Sequence, residues 1–150
     1  MSASSRNRIE VMHGVNLDQL GGRDPEHYGS LTLSELEGQI GRYANDLGLR
    51  TGYFQSNHEG EFVEQLHRLR ERSDGVILNC GAWTHYSWAI RDALEACAVP
   101  AVEVHLSDIT AREEWRRFSV FDGLVLAQIS GKKEKGYLEA LQRLKEELGV

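Results

Sequence analysis

Long apolar runs, an excess of basic charge and clustered cysteines are all missing from this 150-residue chain. No stretch reaches the ~20 apolar residues that a membrane-spanning helix needs. The formal net charge is −6, whereas a non-specific nucleic-acid binder needs a basic surface that displaces counterions from phosphates. The sequence therefore predicts neither a membrane nor a nucleic-acid partner.

The two cysteines, Cys80 and Cys97, show no metal-binding or redox spacing, which favours buried thiols in a cytoplasmic protein. The polar segment MSASSRNR is followed by no apolar stretch, so it does not resemble a secretion signal. Residues 1–7 are predicted to form a flexible tail, and residues 8–150 a single domain.

Several motifs of familiar enzyme classes are also missing. No G-x-G-x-x-G follows the first apolar run, and no phosphate-binding P-loop or G-x-S-x-G elbow is found. No pair of histidines has the H-x-x-x-H or H-E-x-x-H spacing of a catalytic metal site. The sequence therefore predicts a protein without a nucleotide cofactor or a metal.

The chain does contain short apolar runs that alternate with amphipathic stretches. They predict strands at 8–13, 50–56, 75–79, 100–106 and 124–130, and helices at 33–47, 59–72, 84–97, 110–117 and 134–148. The runs GVILN and AVEVHL are almost continuously apolar, as in strands covered on both faces. This alternation is typical of an α/β domain with a five-stranded parallel sheet and helices on both faces.

Ligands of such sheets bind beyond the carboxyl ends of the strands, where the strand order reverses. Polar residues are dense at these predicted ends: Asn16, Arg23, Tyr28, Asn79, His85, Ser87, His105, Ser107, Arg112 and Arg116. A lone strand histidine such as His105 is more often a hydrogen-bonded core residue. Its position among other polar strand ends favours a functional site instead.

Two further features of this polar set allow alternative interpretations. Thr84 is a plausible N-cap, so His85 could simply begin a helix. Arg112 and Arg116 share a predicted helical face, as either a carboxylate clamp or surface partners of neighbouring glutamates. A capping box between Thr110 and Glu113 predicts that this helix begins beside the fourth strand.

The segment between the first strand and the first helix is unusually long. It has roughly fifteen residues, where strand-to-helix connections usually take about two to six. Its several glycines allow sharp turns, and it carries Arg23 and Tyr28. Long loops of this kind are typically lids or binding loops, and we expect a lid here.

Five blocks of the chain resemble those of type II 3-dehydroquinate dehydratases, in order and spacing over residues 8–145. They are HGVNLDQLGGRDPEHYGSLTL, QSNHEGE, NCGAWTHYSWAIRDAL, VEVHLSDITAREEWRR and GYLEAL. The resemblance implies a flavodoxin-like domain assembled as trimers into a dodecamer, without cofactor or metal. It also implies dehydration of 3-dehydroquinate, a small cyclic carboxylate, by anti elimination through an enolate, in the shikimate pathway or in quinate metabolism.

The resemblance further implies roles for individual residues. Tyr28 would be the general base, Arg23 would make it acidic, Asn16 would hold the water that stabilises the enolate, and His105 would protonate the departing hydroxyl. The implied substrate-binding residues are Asn79, His85, Leu106, Ser107, Arg116 and, from a neighbouring subunit, Asp92. It leaves the roles of Glu61 and Arg112 open.

A tyrosine base needs help from its surroundings. With an ordinary pKa near 10, a tyrosine is ionised in about one molecule in a thousand at pH 7, which corresponds to ~4 kcal/mol. A guanidinium beside a phenol favours the phenolate, more so where water is excluded. A lid that carries both groups and closes over the substrate provides this environment.

The chain also departs from the family pattern at His13, Val15, Cys80, Trp83 and residues 118–135. These departures leave two alternatives open. One is a paralogous lyase or isomerase acting on a related cyclic 3-hydroxy-ketone acid. The other is a flavodoxin-like binding module without catalytic activity.

Overall fold

A five-stranded parallel sheet forms the centre of the computed structural model, which describes residues 6–150. Its strands are β1 (Arg8–His13), β2 (Arg50–Gln55), β3 (Gly75–Asn79), β4 (Ala101–His105) and β5 (Ala127–Ser130). They lie in the order β2-β1-β3-β4-β5, and every neighbouring pair is parallel. This is the flavodoxin-like order, with its reversal between β1 and β3. The predicted fold class is confirmed.

Helices cover both faces of this sheet. Short α1 (Pro25–Tyr28) lies in the first loop, followed by α2 (Leu33–Asp46), α3 (Glu59–Arg72), α4 (Trp88–Cys97) and α5 (Lys135–Leu148). The apolar sides of α2 and α5 share one core cluster, and those of α3 and α4 share the other. Strand β3 alternates between the two, with Ile77 in the first and Val76 and Leu78 in the second. Burial on both faces explains its continuous apolar run.

The predicted helix at 84–97 begins later than expected. Gly81–His85 form a 3₁₀ turn, and α4 starts at Trp88. Ser87 is the N-cap, because its hydroxyl accepts a hydrogen bond from the backbone N–H of Ile90 at 3.2 Å. Thr84, the plausible cap, lies buried inside the preceding turn. The alternative in which Thr84 caps a helix that His85 begins was therefore wrong, and so was the predicted start of the helix at residue 84.

The predicted helix at 110–117 is two 3₁₀ turns, Ile109–Ala111 and Glu114–Arg117. Asp108 caps the first turn by accepting from the backbone N–H and the hydroxyl of Thr110. The expected capping box between Thr110 and Glu113 was therefore wrong. Arg112 lies between the turns in an extended conformation, so Arg112 and Arg116 do not share one helical face.

The fifth strand is also shorter than the predicted 124–130. It begins at Ala127, because the preceding residues turn: the backbone N–H groups of Leu124 and Val125 both donate to the carbonyl of Phe121. At the other end of the chain, residues 1–5 of the predicted tail lie outside the described residues. Asn7 donates to the Gly48 carbonyl, and its own carbonyl accepts from Arg50.

The loop after β1 has local structure of its own. Leu17–Gln19 form a 3₁₀ turn, and α1 is capped by Asp24, whose carboxylate accepts from the backbone N–H of Glu26 at 3.0 Å. A capping box then starts α2, with reciprocal bonds between Thr32 and Glu35. Across residues 6–150, no helix is both long enough and apolar enough to span a membrane.

Candidate active site

A crevice of about 530 Å³, open to solvent, lies at the carboxyl ends of the strands. It adjoins the reversal of strand order between β1 and β3, where ligands of such sheets bind. Nine predicted site residues line it: Asn16, Arg23, Tyr28, Asn79, His85, His105, Leu106, Ser107 and Arg116. Arg112 lines it as well, while Asp92 does not.

Two arginines contact the phenol of Tyr28, which ends helix α1. The guanidinium carbon of Arg23 lies 3.7 Å from the centre of the ring. Nη1 of Arg112 donates to the phenol oxygen at 2.8 Å, and the same nitrogen lies 3.3 Å from the Ser107 hydroxyl. The phenol oxygen of Tyr28 therefore accepts a hydrogen bond from one guanidinium group, and a second guanidinium group covers its ring.

Arg112 is the main addition to the predicted pair of Arg23 and Tyr28. The sequence left its role open, and its signals were its position after the fourth strand and its four-residue spacing from Arg116. The contact with Tyr28 spans 84 positions of sequence. It arises because the first and fourth strand ends, although distant along the chain, face the same crevice.

A buried carboxylate orients His105 at the end of β4. Nε2 of His105 lies 2.6 Å from Oε2 of Glu103, two residues earlier on the same strand and therefore on the same face. Glu103 is only 1% exposed. Sequence reasoning missed Glu103, although an acidic residue inside the apolar run AVEVHL was a signal. The contact with Glu103 therefore fixes the ring of His105 at the wall of the crevice.

His85 lies beside His105, with 6.3 Å between the ring centres. Its Nδ1 donates to the carbonyl of Phe118 at 2.6 Å, which leaves Nε2 without a proton in the neutral ring. Burial lowers the pKa of His85 below its usual value, and the neighbouring His105 and Arg116 lower it further. A neutral His85 can accept a hydrogen bond from a substrate hydroxyl.

The turns after β1 and β3 touch through their backbones. A Cβ added to Gly14 would lie 2.5 Å from the Cys80 carbonyl oxygen, and one on Gly81 would lie 2.6 Å from that of Val15. Gly81 also donates its N–H to Oδ1 of Asn79 at 3.2 Å. These contacts fix the Asn79 side chain at the floor of the crevice.

Asn16 occupies a left-handed conformation (φ 70°) at the start of the loop after β1. Its backbone N–H donates to the side-chain oxygen of Asn57 at 2.8 Å, and Asn57 donates in turn to Asp18. The bond to Asn57 holds Asn16 by its main chain at the edge of the crevice, which Asn16 lines.

Arg116 borders the crevice, but its Nε pairs with the exposed carboxylate of Glu113. Its guanidinium carbon also lies 4.1 Å above the ring centre of Trp115. The ion pair considered from the sequence is therefore present. It leaves the remaining guanidinium donors of Arg116 available to a carboxylate in the crevice.

Asp92 is exposed on α4, outside its own subunit's crevice. Nearby residues expose large aromatic side chains, each about half accessible: Tyr86, Trp88, Trp115 and Phe118. The rings of Trp88 and Phe118 lie 5.9 Å apart. We refer to these four residues as the aromatic surface.

Three other residues singled out in the sequence, Glu61, Cys80 and Cys97, do not line the crevice. Glu61 accepts from the hydroxyl of Ser56 at 2.7 Å, which closes the turn before α3. Cys80 and Cys97 are buried thiols, and burial raises the pKa of both. Within residues 6–150, no three His, Cys, Asp or Glu side chains form a group that could hold a metal ion.

The crevice and fold agree with comparisons to known proteins. A family model described as "Dehydroquinase class II" matches residues 7–145. The 3-dehydroquinate dehydratase of Pelobacter propionicus is 49% identical over 125 residues, 83% of this chain and 84% of that protein. That of Caldicellulosiruptor saccharolyticus is 49% identical over 143 residues, 95% and 99% of the two chains. The crystal structure of a type II dehydroquinase from Propionibacterium acnes matches with a TM-score of 0.88 at 38% identity, covering 97% of this chain and 99% of that one.

Proposed function

The chain belongs to the class II dehydroquinase family, and on that premise we propose that it converts 3-dehydroquinate to 3-dehydroshikimate by anti elimination of water through an enolate. The family resemblance found in the sequence is confirmed, and the protein is a hydro-lyase. One observation chiefly supports this mechanism. The phenol of Tyr28, which contacts two guanidinium groups, lines the same crevice as His105, which is hydrogen-bonded to a buried carboxylate.

In the first step, the Tyr28 phenolate takes the proton alpha to the ketone, and the electron pair left behind forms the enolate. Holding a phenolate at pH 7 requires ~4 kcal/mol. One charge-assisted hydrogen bond contributes about 1.5–3 kcal/mol, so the bond from Arg112 supplies only part of this. The cation of Arg23, 3.7 Å from the centre of the ring, would add a second favourable charge interaction.

In the second step, the enolate collapses and expels the hydroxyl, which leaves as water after accepting a proton from His105. The buried carboxylate of Glu103 holds Nε2 of His105, so the proton given to the hydroxyl would leave from Nδ1. The neutral imidazole of His85 and the amide of Asn79 provide hydrogen bonds for ring hydroxyls.

The substrate carboxylate would lie at Leu106 and Ser107 and pair with Arg116. Ser107 is buried at the crevice wall, and Arg116 has guanidinium donors beyond the one paired with Glu113. Asn16 would hold the water that stabilises the enolate oxygen, since its fixed backbone directs it towards the crevice.

We also propose that the active unit is a trimer, four of which form a dodecamer. Asp92 lies outside its own crevice, and the aromatic surface leaves four large rings exposed beside α4. Exposed apolar patches of this kind are typical of subunit contacts. A neighbouring subunit packed there would bring its Asp92 towards the site.

The shared site can be tested by subunit mixing. Inactive Asp92→Ala and Tyr28→Phe subunits are dissociated, mixed and re-associated, and the mixed oligomers are verified by mass. Shared sites predict partial recovery of activity, because some interfaces combine an intact Tyr28 with an intact Asp92. Mixed oligomers that stay inactive would refute a site built from two subunits.

The reaction itself is tested with purified protein and 3-dehydroquinate. The conjugated product should appear as a rise in near-ultraviolet absorbance, and Tyr28→Phe is the matched negative control. Substrate deuterated stereospecifically at the carbon alpha to the ketone then tests the geometry. Anti elimination predicts loss of the label trans to the departing hydroxyl, and loss of the cis label would contradict it.

A further inference from the structure

The buried carboxylate of Glu103 is held from both sides. Oε2 contacts His105, whereas Oε1 accepts the hydroxyl of Ser119 at 2.8 Å and the side-chain amide of Gln128 at 3.2 Å. Ser119 is buried and follows the 3₁₀ turn that carries Arg116, while Gln128 lies on the edge strand β5. Neither residue contacts the proposed substrate position.

The hydrogen bonds of Ser119 fix the direction of its proton. Its oxygen accepts the backbone N–H of Phe121 at 3.1 Å. A serine hydroxyl has one proton to donate, and Glu103 Oε1 is the acceptor within reach. Ser119 is thus a fixed donor to the carboxylate.

We propose that Ser119, assisted by Gln128, is a positioning residue for the catalytic acid. With Oε1 occupied by these two donors, the carboxylate cannot rotate freely, and Oε2 stays directed at Nε2 of His105. The proposal rests on the proposed function, in which His105 is the acid. Ser119 acts on the reaction only through Glu103 and His105.

The surroundings of Glu103 make these neutral donors important. The other titratable groups that face it are His105, His85 and Cys80. Burial lowers the pKa of His85 and raises the pKa of the Cys80 thiol, so burial favours the neutral form of both groups. A buried carboxylate needs a hydrogen-bond donor at each oxygen. His105 contacts Oε2, and Ser119 and Gln128 donate to Oε1.

The chain provides a matched control at Ser56. Its hydroxyl donates to Glu61 at 2.7 Å and accepts the backbone N–H of His58 at 2.9 Å. The same Ser–Glu arrangement therefore occurs outside the crevice. Ser56→Ala removes an equivalent hydrogen bond without touching the acid.

The first test is steady-state kinetics with 3-dehydroquinate. Ser119→Ala should lower kcat about tenfold with KM within about twofold, because a donor to a charged group is lost while the substrate contacts remain. Ser119→Thr keeps the hydroxyl and should restore kcat to within about threefold. Ser56→Ala should leave kcat within about twofold. An unchanged kcat in Ser119→Ala would overturn the proposal.

The second test needs no substrate. The Nε2 proton of His105 is followed by NMR in the free enzyme and assigned by its loss in His105→Ala. It should be sharp in the wild type and Ser56→Ala, and broadened or lost in Ser119→Ala. If His105→Ala keeps its activity, the proposed acid is wrong; if Ser119→Ala leaves the proton signal sharp, the positioning role is wrong.

Thermal unfolding of every variant checks that it folds. If Ser119→Ala does not fold, Gln128→Met is tested in its place. Gln128 is exposed on the edge strand, so this substitution should affect the stability of the fold only slightly. It should lower kcat about threefold and broaden the same proton signal. An unchanged rate and signal in that variant would overturn the proposal.

Discussion

Replacing Arg112 with methionine removes the cation at the phenol oxygen of Tyr28 while keeping much of the side-chain length. The lost contact is the 2.8 Å bond from Nη1, with a weaker 3.3 Å contact to Ser107. A charge-assisted bond to a half-buried group contributes about 1.5–3 kcal/mol. At 1.36 kcal/mol per tenfold in rate, kcat should fall about ten- to a hundredfold.

The kinetic constant that changes decides which role Arg112 has. Support of the base predicts a lower kcat with little change in KM, since the interaction matters most when Tyr28 carries charge. Binding of the substrate carboxylate, the alternative suggested by the sequence, predicts a higher KM instead. Steady-state rates with 3-dehydroquinate separate the two.

Arg117→Met is the control for this experiment. Arg117 is an exposed arginine of the neighbouring 3₁₀ turn and does not line the crevice. Its loss should leave both constants within about twofold. A rise in KM with an unchanged kcat in Arg112→Met would refute the assignment of Arg112 to the base.

Three further predictions concern Tyr28, Arg116 and His85. Tyr28→Phe should abolish turnover while substrate still binds, measured by calorimetry, because only the proton acceptor is lost; a near-normal kcat would remove Tyr28 from the mechanism. Arg116→Ala should raise KM roughly ten- to a hundredfold, whereas an unchanged KM would mean that Arg116 only pairs with Glu113, as an exposed ion pair of small effect. Because burial lowers the pKa of His85, the unfolded chain takes up its proton first as the pH falls below about 6.5. The free energy of unfolding should then decrease by at most about 1.4 kcal/mol per pH unit from this residue, and thermal unfolding of His85→Asn should show a shallower decline; an equal slope in both proteins would contradict it.

The local sequence predicted the fold well, because the sheet depends on patterns that lie close together in the chain. The runs at β3 and β4 are almost continuous in apolar character, which burial on both faces favours. The boundaries were less predictable. Thr84 and Ser87 are both good caps, and the choice between them depends on where the turn after β3 packs, which local sequence does not reveal.

The site was predictable where the family resemblance assigned residues, and less so where contacts join distant segments. Glu103 is one carboxylate in an apolar strand, and its partner on the distant turn, Ser119, becomes visible only after folding. The contact between Arg112 and Tyr28 likewise depends on how two strand ends meet. No periodic pattern in either segment of the sequence indicates this contact.

The placement of Arg23 and Arg112 bears on when Tyr28 could act as a base. Arg23 travels with Tyr28 on the same loop, whereas Arg112 is anchored after β4 on the body of the domain. If this loop opens as the sequence predicts, the phenol would keep Arg23 nearby but would leave Arg112 behind, and water would replace the lost donor. Under the proposed mechanism, the open enzyme would then be a poor base. Substrate that enters and leaves without closure would keep its alpha hydrogen, so substrate recovered from heavy water after partial reaction should contain little deuterium.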